Sequence, residues 1–143
     1  MMQTQVYNLI KERRSVRLFT QREIPLSIVR KAIDAGRLAP SAANLQFIEY
    51  LVVNHSQLRE KIFPHTRWAG YLWPKRLPPR HRRPVFYILI LVNREKTKKP
   101  DLRDVGASAQ NILLSLLAFG VASCWIASID RSPIRKILAI PSA

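Results

Sequence analysis

Acidic residues are scarce in this chain. Nine Asp and Glu stand against 24 Lys and Arg over 143 residues, for a net charge of +15 and an isoelectric point near 11.1. No paired-carboxylate arrangement can be assembled from these carboxylates. The cationic excess instead draws phosphate, whether on nucleic acid, an anionic membrane or a nucleotide cofactor. Cysteine is scarcer still. Cys124 stands alone in an apolar context, which excludes an intrachain disulfide and a paired-cysteine metal motif and gives no sign of an oxidising compartment; it reads as a buried thiol. The four glycines, Gly36, Gly70, Gly106 and Gly120, build neither a GxGxxG fingerprint nor a phosphate-binding P-loop. His55, His65 and His81 lie in or near polar loops without ligand spacing, so no metal is expected, and no Ser-His-Asp set assembles. Residues 1–18 are polar and amphipathic, without the apolar stretch of a signal peptide, and the expected location is the cytoplasm. An enzyme built from this inventory leaves its chemistry to a cofactor, gripped without a glycine-rich loop.

What the chain does have is one long uncharged run, residues 105–129, reading VGASAQNILLSLLAFGVASCWIASI. It is long enough to span a bilayer, which takes about 20 apolar residues. Gln110, Asn111, the serines at 108, 115, 123 and 128, and Gly120 argue for a protein core instead, because lipid would leave their polar groups unsatisfied. Leu102, Val105, Ala109, Ile112, Leu113, Leu116 and Leu117 recur at helical spacing until Gly120 supplies a stop. The pattern therefore predicts a helix, a glycine and then a short buried strand over 121–126. The helix is apolar nearly all round, which suits the middle of a domain or a subunit interface.

Around this run the chain reads as one domain, 1–143, without repeats or a linker. A short helix is predicted around Val6, Leu9 and Ile10. The next five residues are Arg13-Arg14-Ser15-Val16-Arg17. In an extended segment Arg13, Ser15 and Arg17 point the same way and present two guanidinium forks and a hydroxyl, a good phosphate cradle; the plainer alternative is a solvated basic helix end. Pro25 starts a second helix through Ile28, Val29, Ala32 and Ile33. The small residues Pro40, Ser41, Ala42, Ala43 and Asn44 then form either an ordinary turn or a loop where backbone approaches a ligand. Strands are predicted over 47–53 and 85–92, the second fully buried, with a short helix over 56–62 between them. Residues 64–84 are irregular, rich in proline and arginine, and read as a solvated loop or as a lid, with Trp68, Tyr71 and Trp73 favouring the lid. A last helix follows Ser132-Pro133.

Three stretches together resemble the FMN-dependent nitroreductase family: Arg13-Arg14-Ser15-Val16-Arg17, the loop Ala39-Pro40-Ser41-Ala42-Ala43-Asn44-Leu45-Gln46, and Gln110-Asn111 followed by Gly120-Val121-Ala122-Ser123-Cys124-Trp125-Ile126. A fourth stretch, residues 66–72 with Arg83-Pro84, resembles one branch of it. The resemblance implies an α+β fold with a mostly antiparallel central sheet flanked by helices, and a homodimer with two FMN sites at its interface. It assigns Arg13, Ser15 and Arg17, with Arg14 contributing, to the FMN phosphate and ribityl chain. Pro40, Ser41 and Asn44 come from the facing subunit, and backbone at Ile126, Ala127 and Ser128 comes to the isoalloxazine, where an N–H near N5 helps hydride transfer. Arg67, Trp68 and Tyr71 fall to the substrate side. The implied cycle is ping-pong: NADH or NADPH reduces FMN and leaves, and a small electron-poor acceptor such as a nitroaromatic or quinone takes the electrons.

The chain departs from the family pattern in having Gln46-Phe47-Ile48 where members often carry Gln-Pro-Trp. It also stops at Ala143, short of the last strand and C-terminal arm that members usually have. The expectation is weaker FMN binding and a looser dimer than in a longer relative. The rival readings are a basic nucleic-acid-binding module using Lys75 to Arg83, a degenerate flavin-family protein without activity, and a membrane anchor; neither nucleic acid nor membrane is the expected partner.

Overall fold

The structure is a computed structural model that describes residues 2–72 and 77–141. Residues 73–76, which include Trp73, Lys75 and Arg76 of the expected lid, lie outside the described residues. Among the described residues, five α-helices and two strands make an α+β architecture: α1 (Met2–Glu12), α2 (Leu26–Arg37), β1 (Ile48–Val53), α3 (Ser56–Ile62), β2 (Tyr87–Val92), α4 (Leu102–Ala118) and α5 (Arg131–Ile137). The strands pair with each other, and the Asn93 N–H donates to Phe47 C=O at 2.8 Å. The residue after β2 thus meets the residue before β1, so the strands run antiparallel.

The chain forms two compact units, each discontinuous in sequence. The first holds Met1–Val16, Ile24–Tyr50 and Ile90–Trp125; the second holds Arg17–Glu23, Leu51–Leu89 and Ile126–Ala143. In the first, α2 packs on α4. Val29, Ala32 and Gly36 bury one face of α2, and Ser108, Ala109, Ile112 and Leu116 bury one face of α4. The helices meet so closely at Gly36 that a Cβ there would lie 2.7 Å from Ile112 Cγ1 and 3.1 Å from Ser108 Oγ. Gly36→Ala gains about 1 kcal/mol of helix propensity, but forcing a methyl into this contact costs more. A net loss of about 1–2 kcal/mol in chemical denaturation is expected.

Several polar residues of α4 are satisfied within the protein, which fits a protein core better than lipid. Asn111 Nδ2 donates to Ala35 C=O at 3.0 Å, and Ser108 Oγ lies 2.7 Å from the Tyr50 hydroxyl. Asp101 caps the N-terminus by accepting the Arg103 N–H at 3.0 Å. The side-chain hydrogen bond from Arg103 then draws the Asp101 carboxyl down to about 2. At the other end the Gly120 N–H donates to Leu117 C=O and the Val121 N–H to Leu116 C=O, with Gly120 at φ 71°. This is the glycine stop expected from the sequence, its left-handed residue closing the last turn. No helix among the described residues is long and apolar enough to cross a membrane.

The second unit centres on Val53, Ile62 and Ile134, which α3 and α5 bring together. Arg83 closes one side of this unit. Its guanidinium donates to Glu60 at 2.6 Å and lies 3.8 Å from the Phe63 ring centre. Tyr87 is pushed up to about 12, chiefly because burial disfavours the phenolate.

Three expectations change. The strand expected to be fully buried begins at Tyr87, and each of its six residues keeps partial exposure, because a two-stranded ribbon has no central position. Residues 121–126 form no strand. They make one parallel bridge, Ser123 with Ser15, and leave Cys124 only partly buried and Trp125 exposed. In the described part of 64–84 the solvated character is confined to stretches such as the exposed residues 77 and 79–82: short 3-10 turns occur, and Trp68 and Pro78 are fully buried.

Candidate functional site

In the first unit, α1 ends at Glu12 and the chain goes on to a single bridge at Ser15. The Val16 N–H donates to Ser123 C=O at 3.1 Å, which fixes the Ser15–Ser123 bridge. Arg13 is half-buried, and among the described residues its guanidinium makes no hydrogen bond or ion pair. Arg14 turns back and donates to Lys11 C=O at 2.7 Å, near the end of α1, and to Arg13 C=O at 3.0 Å, just beyond it. Ser15 is exposed.

The same unit contains the loop with Pro40, Ser41 and Asn44. Its backbone is unusual, because Ala43, Asn44 and Gln46 all have φ near +50°, a region that glycine and, less readily, asparagine visit but that is costly for alanine and glutamine. Ser41 Oγ accepts the Gln46 N–H at 3.0 Å, and Lys96 Nζ donates to Gln46 C=O at 3.2 Å. Asp104 Oδ2, from the first turn of α4, accepts the Ala42 N–H at 2.8 Å. Asn44 is exposed and its side chain makes no hydrogen bond among the described residues. Pro40 is exposed as well.

In the second unit Arg17 is exposed. Residues 65–67 run antiparallel to 128–130, with the Arg67 N–H donating to Ser128 C=O at 3.0 Å and the Asp130 N–H to His65 C=O at 2.9 Å. Asp130 also pairs with the Arg67 guanidinium at 3.1 Å. This pairing uses the carbonyl of Ser128. Among the described residues, the N–H groups of Ile126, Ala127 and Ser128 have no partner. Tyr71 is fully exposed, but Trp68 is only 2% exposed. Its indole N–H donates to Thr66 Oγ1 at 2.9 Å and its ring packs on Phe19 and Phe63. Trp68 is therefore a core residue, and the expectation that it faces a substrate is corrected. Two contributors were not legible beforehand, Asp130 and Asp104. The signal for Asp104 was its position, a carboxylate at the edge of the longest uncharged run. No group of His, Cys, Asp and Glu among the described residues could hold a metal ion.

Comparison with known proteins gives a consistent picture. The profile of the Nitroreductase family matches residues 10–143. A protein of Methanothermobacter thermautotrophicus, provisionally named NADH dehydrogenase/NAD(P)H nitroreductase, is 30% identical over 142 residues, covering 95% of this chain and 70% of its own. The crystal structure of a nitroreductase family protein from Clostridium novyi superposes with a TM-score of 0.79 at 26% identity, covering 96% of this chain and 77% of that one. An FMN-dependent nitroreductase from Clostridium difficile superposes with a TM-score of 0.74 at 26% identity, over 94% of this chain and 78% of its own.

Proposed function

Because this chain belongs to the nitroreductase family, we propose that it is an FMN-dependent oxidoreductase that carries electrons from NADH or NADPH to an electron-poor small molecule such as a nitroaromatic or a quinone. The FMN-dependent nitroreductase of C. difficile supports this reading by likeness. The observation that carries it is the stretch after α1 bridged at Ser15, where the Arg13 guanidinium makes no hydrogen bond or ion pair among the described residues and Ser15 is exposed. Such a stretch suits a phosphate, which takes charge-assisted, often bidentate, hydrogen bonds from arginine.

The donor groups fit the cofactor. Arg13, Ser15 and Arg17 hold its phosphate and ribityl chain, with the remaining donors of Arg14 beside them. Ser41 and Asn44 offer hydrogen bonds and Pro40 an apolar surface from the facing subunit. The N–H groups of Ile126, Ala127 and Ser128, without partners among the described residues, suit a ring system rich in acceptors. When bound, FMN supplies the redox chemistry, accepting a hydride equivalent and releasing electrons to the acceptor. The chain's own part is to bind and orient it, while Arg67 and Tyr71 stand on the acceptor side.

The active form in this reading is a cytoplasmic homodimer. In support, α1 leaves Val6, Tyr7 and Ile10 58%, 61% and 51% exposed, an apolar face that a second copy would cover.

Titrating FMN into the purified chain tests the reading. The expected result is a yellow complex of dimer mass holding two FMN per dimer. At FMN about 100-fold above Kd, binding adds about 2.7 kcal/mol to stability, read as a raised melting temperature. A monomer whose melting temperature ignores FMN would refute it.

A further inference from the structure

Asp104 is a carboxylate at 8% exposure. Burying such a group is unfavourable unless it is paired or well hydrogen-bonded, and Asp104 has no ion pair among the described residues. It is not needed as the cap of α4, because Asp101 fills that position. Its hydrogen bond is directed at one group outside the helix, the Ala42 N–H at 2.8 Å.

That N–H opens the stretch in which Ala43, Asn44 and Gln46 hold left-handed backbone. Left-handed non-glycine residues are each unfavourable and persist where surrounding bonds over-determine them, commonly at ligand clamps. Beside two backbone turn bonds, Asn44 N–H to Ser41 C=O and Leu45 N–H to Ala42 C=O, the side-chain bonds on this stretch are the Asp104 carboxylate on Ala42, the Ser41 hydroxyl on Gln46, and Lys96 on the Gln46 carbonyl. Asp104 is the only one of the three anchors that is buried on a long helix, and α4 is itself tied to α2 through Asn111 and Ala35.

We infer that Asp104 is a positioning residue: its carboxylate pins the Ala42 amide and so keeps Ser41 and Asn44 in the strained loop shape that the flavin requires. The inference rests on the preceding reading of the loop as part of the FMN site. Asp104 touches no ligand itself and acts through the loop alone. A charged acceptor suits the task, because hydrogen bonds to an ionised group are about twice as strong as neutral ones.

The test compares wild type, Asp104→Ala and Asp104→Asn by amide exchange at residues 42–46 before FMN is added, and by FMN titration afterwards. Asp104→Ala removes the acceptor; exchange at Ala42 is expected to rise about 10-fold or more and FMN Kd to rise by a similar factor. Asp104→Asn keeps an oxygen acceptor without the charge, so both readouts should fall between wild type and Asp104→Ala. If Asp104→Ala does not fold, the asparagine variant carries both measurements, with a smaller increase expected in each. Unchanged exchange at residues 42–46 in whichever variant folds overturns the inference. Looser exchange with unchanged FMN affinity overturns it too, because the loop would then not serve the flavin. A wild-type chain that binds no FMN defeats the functional reading itself, and with it the flavin role of Asp104. That failure is distinguishable, since it shows before any variant is made.

Discussion

Trp68→Ala is expected to lower stability by about 3–5 kcal/mol, the range for truncating a buried aromatic. The ring is edge-on to Phe19, with centroids 6.0 Å apart, and stacked on Phe63 at 6.2 Å, so its removal opens a cavity between two aromatics. The polar loss adds to this. The indole N–H donates to Thr66 Oγ1, which in turn donates to Phe63 C=O at 2.7 Å, and this short chain ties the residues on both sides of Pro64 together. Trp68→Phe keeps the aromatic packing but removes the indole donor, and about 1–3 kcal/mol is expected for that change. Thermal or denaturant unfolding measures both. Because residues 65–67 pair with 128–130, the alanine variant should also loosen the backbone whose N–H groups are proposed to meet the flavin, so FMN affinity should fall with stability. A Trp68→Ala protein as stable as wild type would mean that the tryptophan lies on the surface after all.

The second large effect concerns the arginines after α1. Each charge-assisted hydrogen bond is worth about 1.5–3 kcal/mol. Replacing both Arg13 and Arg17 by alanine is therefore expected to raise FMN Kd by about 10²–10⁴, with direct titration as the measurement. Arginine contributes planar, paired donors that lysine lacks, so the double lysine variant should recover only part of the loss. Arg13 supplies the control. Its guanidinium makes no bond among the described residues, so Arg13→Ala alone should change the stability of the flavin-free protein by no more than about 0.5 kcal/mol. Unchanged FMN affinity in the double variant would remove the arginines from the phosphate site.

Much of the fold was legible before the structure, because it depends on local rules. The helix of the uncharged run and its glycine stop follow from periodicity and from the left-handed conformation of Gly120. The strand positions came within two residues at their starts. What local rules could not supply was set by distant partners. Trp68 lies in a proline- and arginine-rich stretch with no period to read, and its burial depends on Phe19, far away in sequence. Residues 121–126 look like a strand by composition, yet their neighbour at Ser15 provides a single bridge. The loop at 41–46 could be placed but not shaped, because nothing in its residues announces left-handed backbone at two alanine or glutamine positions or its tie to Asp104, 62 positions on.

The contact at Gly36 has a consequence for how this protein can vary. The volume that a side chain at position 36 would need is already taken by Ile112, so the two positions share one allotment of space. Each substitution alone is penalised, a methyl at 36 by collision and a truncation at 112 by the void it leaves. Made together, each relieves the other, and their effects should not add. A survey that changes one position at a time would record both as intolerant and would miss that the pair can be exchanged as a unit.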